Sequence, residues 1–548
     1  MVEFPKFHRA GIALGRAPQL AAHGMVVAPS GWASLVGIDV LRGGGTSVDA
    51  AIAIGAALMV AEPHQCGLGG DAFWLIRASG GTTVALNASG CAPGAARADE
   101  LLAGGLSAVP PRSAYAVTVP GVVSGWAAAH DRYGRLPLDR LLAPAIATAQ
   151  TGVPVTPVVA AQFATSLPLL ASRAESSRVF LAGGNPPRVG DRLVQPDLAR
   201  TLAQLATDPA AFYAGGLAEQ IAEAIRAEGG WLTADDLARY RCDWTEPAAA
   251  PFGDWTVEEM GPNSQGVAAL VGLELLSGCG LSPDSPQADW DHAGVEVAKV
   301  LMAVRDAEIG DPRSMRRPAT DLLGDRYLDP LRRLLASSGP VSASAIAAVV
   351  GKRPAQKAPA RGDTVHFAVV DSDGLAVSCI QSVFDDFGSG IVVPGTGILL
   401  HNRGSAFVLD STSVNALTPG RRPLHTLAPG LATEGDATAA VFGAMGGHAQ
   451  AQLHVQLVGA MAGQGLDPVL ALDRPRWFVP PAPLGEAEVE VEERGELAGN
   501  LERRGHRVRL VEPFAQQMGH AQVILIDHCR GCLMGVADPR SDGLALGY

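Results

Sequence analysis

The stretch Asp363-Thr364-Val365-His366-Phe367-Ala368-Val369-Val370-Asp371 places a threonine where a loose, basic, Pro- and Ala-rich segment (351–362) gives way to dense apolar residues. Such a run reads as a strand buried on both faces. If the chain were cut before Thr364, the threonine would carry a free α-amine beside its own hydroxyl. That amine can serve as the base that makes the hydroxyl attack an amide. Taken alone, the segment reads more simply as an ordinary linker entering an ordinary strand. Runs 365–370 and 375–381 flank Asp371-Ser372-Asp373-Gly374, a turn sequence that predicts a tight hairpin. Pairing 371 with 374 sets 364 against 381, so Ser382 falls within about one register step of Thr364. A hydroxyl there could orient the nucleophile or simply finish a strand. Further on, Gly446-Gly447 follows the strand-like run 438–442. Adjacent glycines let backbone N–H groups converge as in an oxyanion hole, although most such pairs are only turns.

The elements that must position these groups fall into three zones. The first third reads as helices around strands. Ser47 and Asp49 offer N-terminal caps to the Ala-rich run 50–60, and Pro63 helps to stop it. Runs 72–76 and 82–86 about a Ser79-Gly80-Gly81 turn predict a hairpin. The intervening Gly67-Leu68-Gly69-Gly70-Asp71-Ala72 spells the dinucleotide fingerprint. It follows a helix and opens a strand, the reverse of what that fingerprint requires, so we reject it. Residues from about 120 to 310 read as mostly helical. Leu217, Ile221 and Ile225 share a face, Thr233 with Asp236 forms a capping box, and a second apolar helix runs through Val295, Val300 and Val304. From Thr364 onward the texture is that of strands.

Composition narrows the classes. The chain has 548 residues, 47% of them apolar, enough to bury a large core. No run of about eighteen consecutive apolar residues predicts a membrane span. The first nine residues lack a signal-peptide layout, which predicts a cytoplasmic protein. A net charge of −13 with no basic stripe argues against nucleic-acid binding. Seven scattered cysteines make no disulfide framework. Cys529-Arg530-Gly531-Cys532 stands without a second ligand pair, so we expect a hairpin loop, no metal and no cofactor. No G-x-S-x-G, H-E-x-x-H or Walker sequence is present.

Over almost its whole length the sequence resembles the γ-glutamyltransferase (glutathione hydrolase) family of N-terminal nucleophile hydrolases. The resemblance rests on Gly43-Gly44-Gly45-Thr46-Ser47-Val48-Asp49-Ala50-Ala51, on Glu62-Pro63-His64 before the 67–70 loop, and on Thr118-Val119-Pro120-Gly121 with Gly125-Trp126. Gly152-Val153-Pro154-Val155-Thr156-Pro157, Thr364-Val365-His366-Phe367, Phe387-Gly388-Ser389-Gly390-Ile391, Pro394-Gly395-Thr396-Gly397-Ile398-Leu399-Leu400, Asp538-Pro539-Arg540-Ser541 and Gly547-Tyr548 continue the order. The family implies an α+β fold, a four-layer αββα sandwich built jointly by two autoproteolytic pieces, a helix-rich 1–363 and a strand-rich 364–548, cut between Asp363 and Thr364. It implies that Thr364 attacks an amide of a small molecule, that Gly446 and Gly447 hold the oxyanion, and that Ser382 occupies a helper-hydroxyl position where threonine is usual. Water or an amine would then accept the acyl group.

Departures from the family pattern bear on specificity. Ser89 stands where γ-glutamyl enzymes place an arginine for the donor α-carboxylate. Phe384 and Ala406 replace an asparagine and a carboxylate that hold the α-amine, and His425-Thr426 replaces a pair of serines. Losing an acidic partner for an ammonium removes about 1.5–3 kcal/mol. Arg403 stands where the family usually has glutamine. A guanidinium there could grip a carboxylate at two points, or make a structural ion pair. The pattern resembles the acylase and amidohydrolase branch, acting on glutaryl-cephalosporins or oxamate-like acids. An ordinary γ-glutamyltransferase with substituted donor contacts, or an inactive relative serving as a scaffold, are the alternatives.

Overall fold

The computed structural model describes residues 17–336, 339–351, 362–481 and 488–548. The basic segment 352–361 and the N-terminal nine residues discussed above lie outside them.

Fourteen strands form two antiparallel sheets. In chain order they are β1 (Gln19–Ala21), β2 (Met25–Ala28), β3 (Asp71–Arg77), β4 (Thr83–Ala88), β5 (Asp243–Thr245), β6 (Ala248–Phe252), β7 (Trp255–Glu259), β8 (Gly362–Val370), β9 (Ala376–Asp385), β10 (Pro429–Glu434), β11 (Ala437–Met445), β12 (His520–Asp527), β13 (Cys532–Ala537) and β14 (Leu544–Gly547). One sheet runs β14-β2-β8-β9-β3-β4-β5 and the other β1-β13-β12-β11-β10-β7-β6.

Alternation along each central strand explains the layering. In β8, Val365, Phe367 and Val369 face one way and pack with Ile52 and Ala56 of the helix Ser47–Ala61. Ala368 and Val370 face the other way and join Phe73, Ile380, Val441 and Ile524 between the two sheets. On the far face of the second sheet, Phe442, Val523 and Val536 pack under the helices Gly266–Ser277, Gln287–Glu308 and Gln450–Val458. A strand with two buried faces needs a cover on each, and the result is a four-layer αββα sandwich. No described helix is long and apolar enough to cross a membrane.

Several expectations need correction. The cap of the helix Ser47–Ala61 is Thr46, whose hydroxyl accepts from Asp49 N in a reciprocal capping box. Asp49 is the third helical residue of that box. Ser47 instead donates its hydroxyl to Leu375 O (2.7 Å) and its N–H to Asp371 (2.8 Å), tying the helix to the β8–β9 turn. The middle zone holds its expected helices, including Gly216–Ala227 and the boxed Ala234–Arg239, but also β5, β6 and β7. These strands carry Ala248-Ala249-Ala250 and a proline, residues poor in strand preference, and sheet pairing overrides that preference.

The β8–β9 hairpin forms one residue out of the predicted register. Asp371 N bonds Leu375 O and Gly374, at φ +78°, closes the turn, so the loop holds three residues where two were expected. Val365 therefore pairs with Gln381 and Val370 with Ala376. A bulge between Asp363 and Val365 then shifts the ladder, so that Asp363 pairs with Phe384. The expected CxxC hairpin is present as β12–β13, with Cys529 and Cys532 both free thiols.

Along β8, the two sheets meet at His366. Its Nε2 lies 2.9 Å from Ser378 Oγ, which donates to Phe442 O across the interface (2.9 Å). A Cβ on Gly443 would fall 2.3 Å from the His366 ring. Gly443→Ala is therefore expected to destabilise the protein by about 1–3 kcal/mol through overpacking. Chemical denaturation of the variant checks this.

Candidate functional site

Thr364 lies on the second residue of the bulge region, 1% exposed, at the heart of its sheet. Its hydroxyl donates to Ser382 Oγ at 3.2 Å, the neighbour that the hairpin register anticipated. Ser382 Oγ also accepts from Phe384 N (2.7 Å). The preceding loop clamps this corner from the other side. Val383 N bonds Gln65 O (3.0 Å) and Phe387 N bonds His64 O (2.9 Å). The Gln65 amide, turned to satisfy its neighbours, places its nitrogen 2.9 Å from Thr364 O and 3.1 Å from Glu62. Burial and the nearby Asp542 push the Glu62 carboxyl up to about 8, and burial holds the His64 imidazole down to about 4. The Gln65 amide that meets the Thr364 carbonyl is thus itself held by groups that are neutral near pH 7.

Phe384 and Phe387 both adopt positive φ, +81° and +54°, which non-glycine residues rarely do. Strain of this kind, about 1–3 kcal/mol per residue, gathers where function fixes the backbone. At Phe384 it turns the ring under Arg403, whose guanidinium carbon sits 3.8 Å from the ring centroid.

Arg403 is only 1% exposed and lies in a short turn after the Leu399–Leu400 strand. Its Nη1 donates to Thr426 Oγ1 (3.0 Å), while Nε and Nη2 have no hydrogen-bond partner among the described residues. Burial pulls the guanidinium down to about 9, against the favourable fields of Asp71 and Asp385. It remains the cation. An uncompensated buried charge is costly, so two free donors on one are a signal of a missing anion. Asp71 answers part of the field without touching it. Burial would raise this carboxyl, but His401 and His425 outweigh burial and hold it well below the usual carboxylate range. Burial and Arg403 keep His425 neutral, down to about 3, so its Nε2–H donates to an ionised Asp71 at 3.0 Å.

Gly446 and Gly447, at φ +138° and +53°, follow β11 and lead through the turn Gly447–Ala449 into the helix Gln450–Val458. Side-chain-bearing residues would be strained at both positions. Of the remaining anticipated residues, Ser89 is fully buried and its hydroxyl is consumed by Asn87 (2.7 Å) and Asn263 (3.3 Å). Its carbonyl accepts from Arg422 Nε (2.8 Å). The position thus braces the strand end next to Asp71, whose Oδ1 accepts from Gly90 N (3.1 Å).

The expectation of no metal meets one cluster. His292, Glu296 and His506 bring ligand atoms within 4.8 Å of one another. Lys299 donates to Glu296 (2.6 Å) and lies 3.4 Å from His506 Nδ1, while His506 Nε2 lies 2.8 Å from His292 Nδ1. An ammonium already neutralises the carboxylate, and the imidazoles bond to each other. These residues read as a satisfied polar chain.

Residues 33–548 match the family model described as Gamma-glutamyltranspeptidase. The chain belongs to the gamma-glutamyltranspeptidase family. It is 39% identical to the oxamate amidohydrolase proenzyme of Klebsiella pneumoniae subsp. pneumoniae, across 96% of this chain and 99% of that one. It is 32% identical to the glutathione hydrolase proenzyme of Escherichia coli, across 97% and 93% respectively. The crystal structure of cephalosporin acylase from Bacillus halodurans superposes with a TM-score of 0.88 at 35% identity, covering 100% of this chain and 98% of that one. As a gamma-glutamyltranspeptidase family member the protein is an enzyme of the N-terminal nucleophile hydrolase class.

Within this gamma-glutamyltranspeptidase fold, sequence reading missed Asp71 as a pivot, and it missed Gln265. Asp71 was visible only as the end of a glycine loop. Gln265 sits in Gly261-Pro262-Asn263-Ser264-Gln265-Gly266, a polar run just before an apolar helix, which was the one available signal.

Proposed function

We propose that the protein is a self-cleaving amide hydrolase whose nucleophile is Thr364, freed by scission after Asp363, and whose acyl donor carries a carboxylate. Pieces 1–363 and 364–548 would stay together as one two-chain protomer. The Thr364 hydroxyl, oriented by Ser382, attacks the amide carbonyl with its own α-amine as base. The N–H groups of Gly446 and Gly447 receive the oxyanion. The amine leaves, and water or a second amine takes the acyl group from Thr364.

The observation that carries the donor assignment is Arg403, buried over Phe384 with Nε and Nη2 unpartnered. A carboxylate of a glutaryl or oxamate-like acyl group supplies the missing anion in two-point fashion. Thr426 and His425 shape the floor beside it. The likeness to an oxamate amidohydrolase and to a cephalosporin acylase supports this class.

A second reading rests on Asp385, whose Oδ1 is buried and unpartnered and could take an ammonium, as a γ-glutamyl donor would offer. Burial raises this carboxyl to about 6, which weakens it as an anion. Turnover of glutaryl and oxamate amides against γ-glutamyl anilide separates the two. We expect the carboxylate amides lacking an α-amine to give the higher kcat/KM. A clear γ-glutamyl preference would overturn the assignment.

A further inference from the structure

We infer that Gln265 is a positioning residue that holds the oxyanion turn and the acyl-binding segment at a fixed separation. The inference rests on the reading of Gly447 and Thr426 given above and adds the group that sets their spacing. Gln265 is fully buried and lies immediately before the helix Gly266–Ser277. Its side-chain nitrogen donates to two carbonyls at once, Thr426 O at 2.7 Å and Gly447 O at 2.8 Å. Its backbone N–H bonds His425 O at 2.9 Å. One amide nitrogen therefore spans from the residue that holds Arg403 to the residue proposed to face the oxyanion.

Both carbonyls belong to segments that need an outside anchor. Gly446-Gly447 has no side chains and sits at positive φ; its own turn bonds, Ala449 N to Gly446 O (2.9 Å) and Gln450 N to Gly447 O, tie it to the helix that follows, and the Gln265 amide ties it to the neighbouring segment. The His425-Thr426 segment precedes β10 and meets Ser264 in an isolated bridge (His425 N to Asn263 O, 2.8 Å), so its backbone anchor is the same 263–265 run that carries the Gln265 side chain. The amide's own orientation is fixed in turn. Gln265 Oε1 accepts from Arg305 Nη1 (3.1 Å), and Arg305 is fully buried. That nitrogen also lies 2.8 Å from His448 Nδ1, and the rest of the guanidinium bonds Asp306 (2.6–2.8 Å). An arginine can only donate, so it forces the Gln265 oxygen toward itself and the NH2 toward the two carbonyls. A buried network of this kind, with an arginine fixing the amide's orientation, rigidifies what it touches.

Catalysis depends on oxyanion donors standing where charge develops, and a misplacement of about 1 Å can cost about a hundredfold. Gln265→Met keeps an unbranched side chain of similar length and removes both donors. In protein that has undergone scission, we expect kcat per processed chain to fall about 10- to 100-fold on the best amide substrate. KM should stay within about threefold and the melting temperature within a few degrees, because the acyl tail still meets Arg403. If Gln265→Met does not fold, Gln265→Glu serves, since it keeps an acceptor for Arg305 and loses the paired donors. An unchanged kcat in either folded, processed variant overturns the inference. So does failure of scission at a wild-type melting temperature, which would put Gln265 in maturation instead. Failure of the underlying reading shows separately, as activity that survives in Thr364→Ala.

Discussion

Thr364→Ala is expected to run as a single 56.4 kDa band on a denaturing gel where we expect the natural sequence to give two, and to lose amidase activity by about a thousandfold or more. The hydroxyl has two successive tasks in the proposed chemistry. It attacks its own preceding carbonyl to open the chain, and then attacks the substrate amide. Alanine removes both while touching little else. The side chain makes one hydrogen bond, to Ser382, and such a bond contributes about 1 kcal/mol. The variant should therefore melt close to the natural protein, which separates lost chemistry from lost structure. Two bands from the alanine variant would move the cut elsewhere and remove Thr364 as the nucleophile.

Arg403→Leu is expected to lower kcat/KM for a carboxylate-bearing amide by roughly 10- to 150-fold, the equivalent of about 1.5–3 kcal/mol for a charge-assisted pair. Stability should hold or rise. The guanidinium makes one hydrogen bond, to Thr426, and leaves two buried donors without hydrogen-bond partners among the described residues, so removing it relieves a buried charge that Asp71 and Asp385 offset only in part. A structural role predicts the opposite pattern, with a lowered melting temperature and equal losses on charged and uncharged acyl groups. Measuring both substrates and the melting curve on one preparation tells them apart.

Local pattern exposed most of the surroundings of Thr364. Period-two alternation and a turn sequence were enough to set Ser382 beside Thr364. The remaining one-residue error came from Leu375, which closes the loop through its carbonyl where the sequence suggested Gly374 would. Gly446-Gly447 was legible because glycine at a strand end is a local signal. Asp71, His401, Arg403, His425 and Gln265 were not legible as a cluster. They come from four separate stretches of chain, and only the tertiary fold brings them together. Arg403 looked equally like an ion-pair partner, since nothing in a sequence says that a guanidinium will lack its anion. The Ala-rich strand β6 was hidden because its neighbours, and not its composition, make it a strand. The layered architecture was carried by the family resemblance, and the three separate apolar clusters give its physical basis.

The hairpin β8–β9 lies between β2 and β3, with partners on either side that come from the first 363 residues. A nick at the leading end of β8 would open the backbone without opening any seam, because no plane divides upstream from downstream sequence. Both products would be incomplete halves of one interior, each exposing oily edges if set loose. Dissociation and denaturation are then a single event. Heat should release the two chains together in one cooperative step, and neither should survive alone as a reusable part.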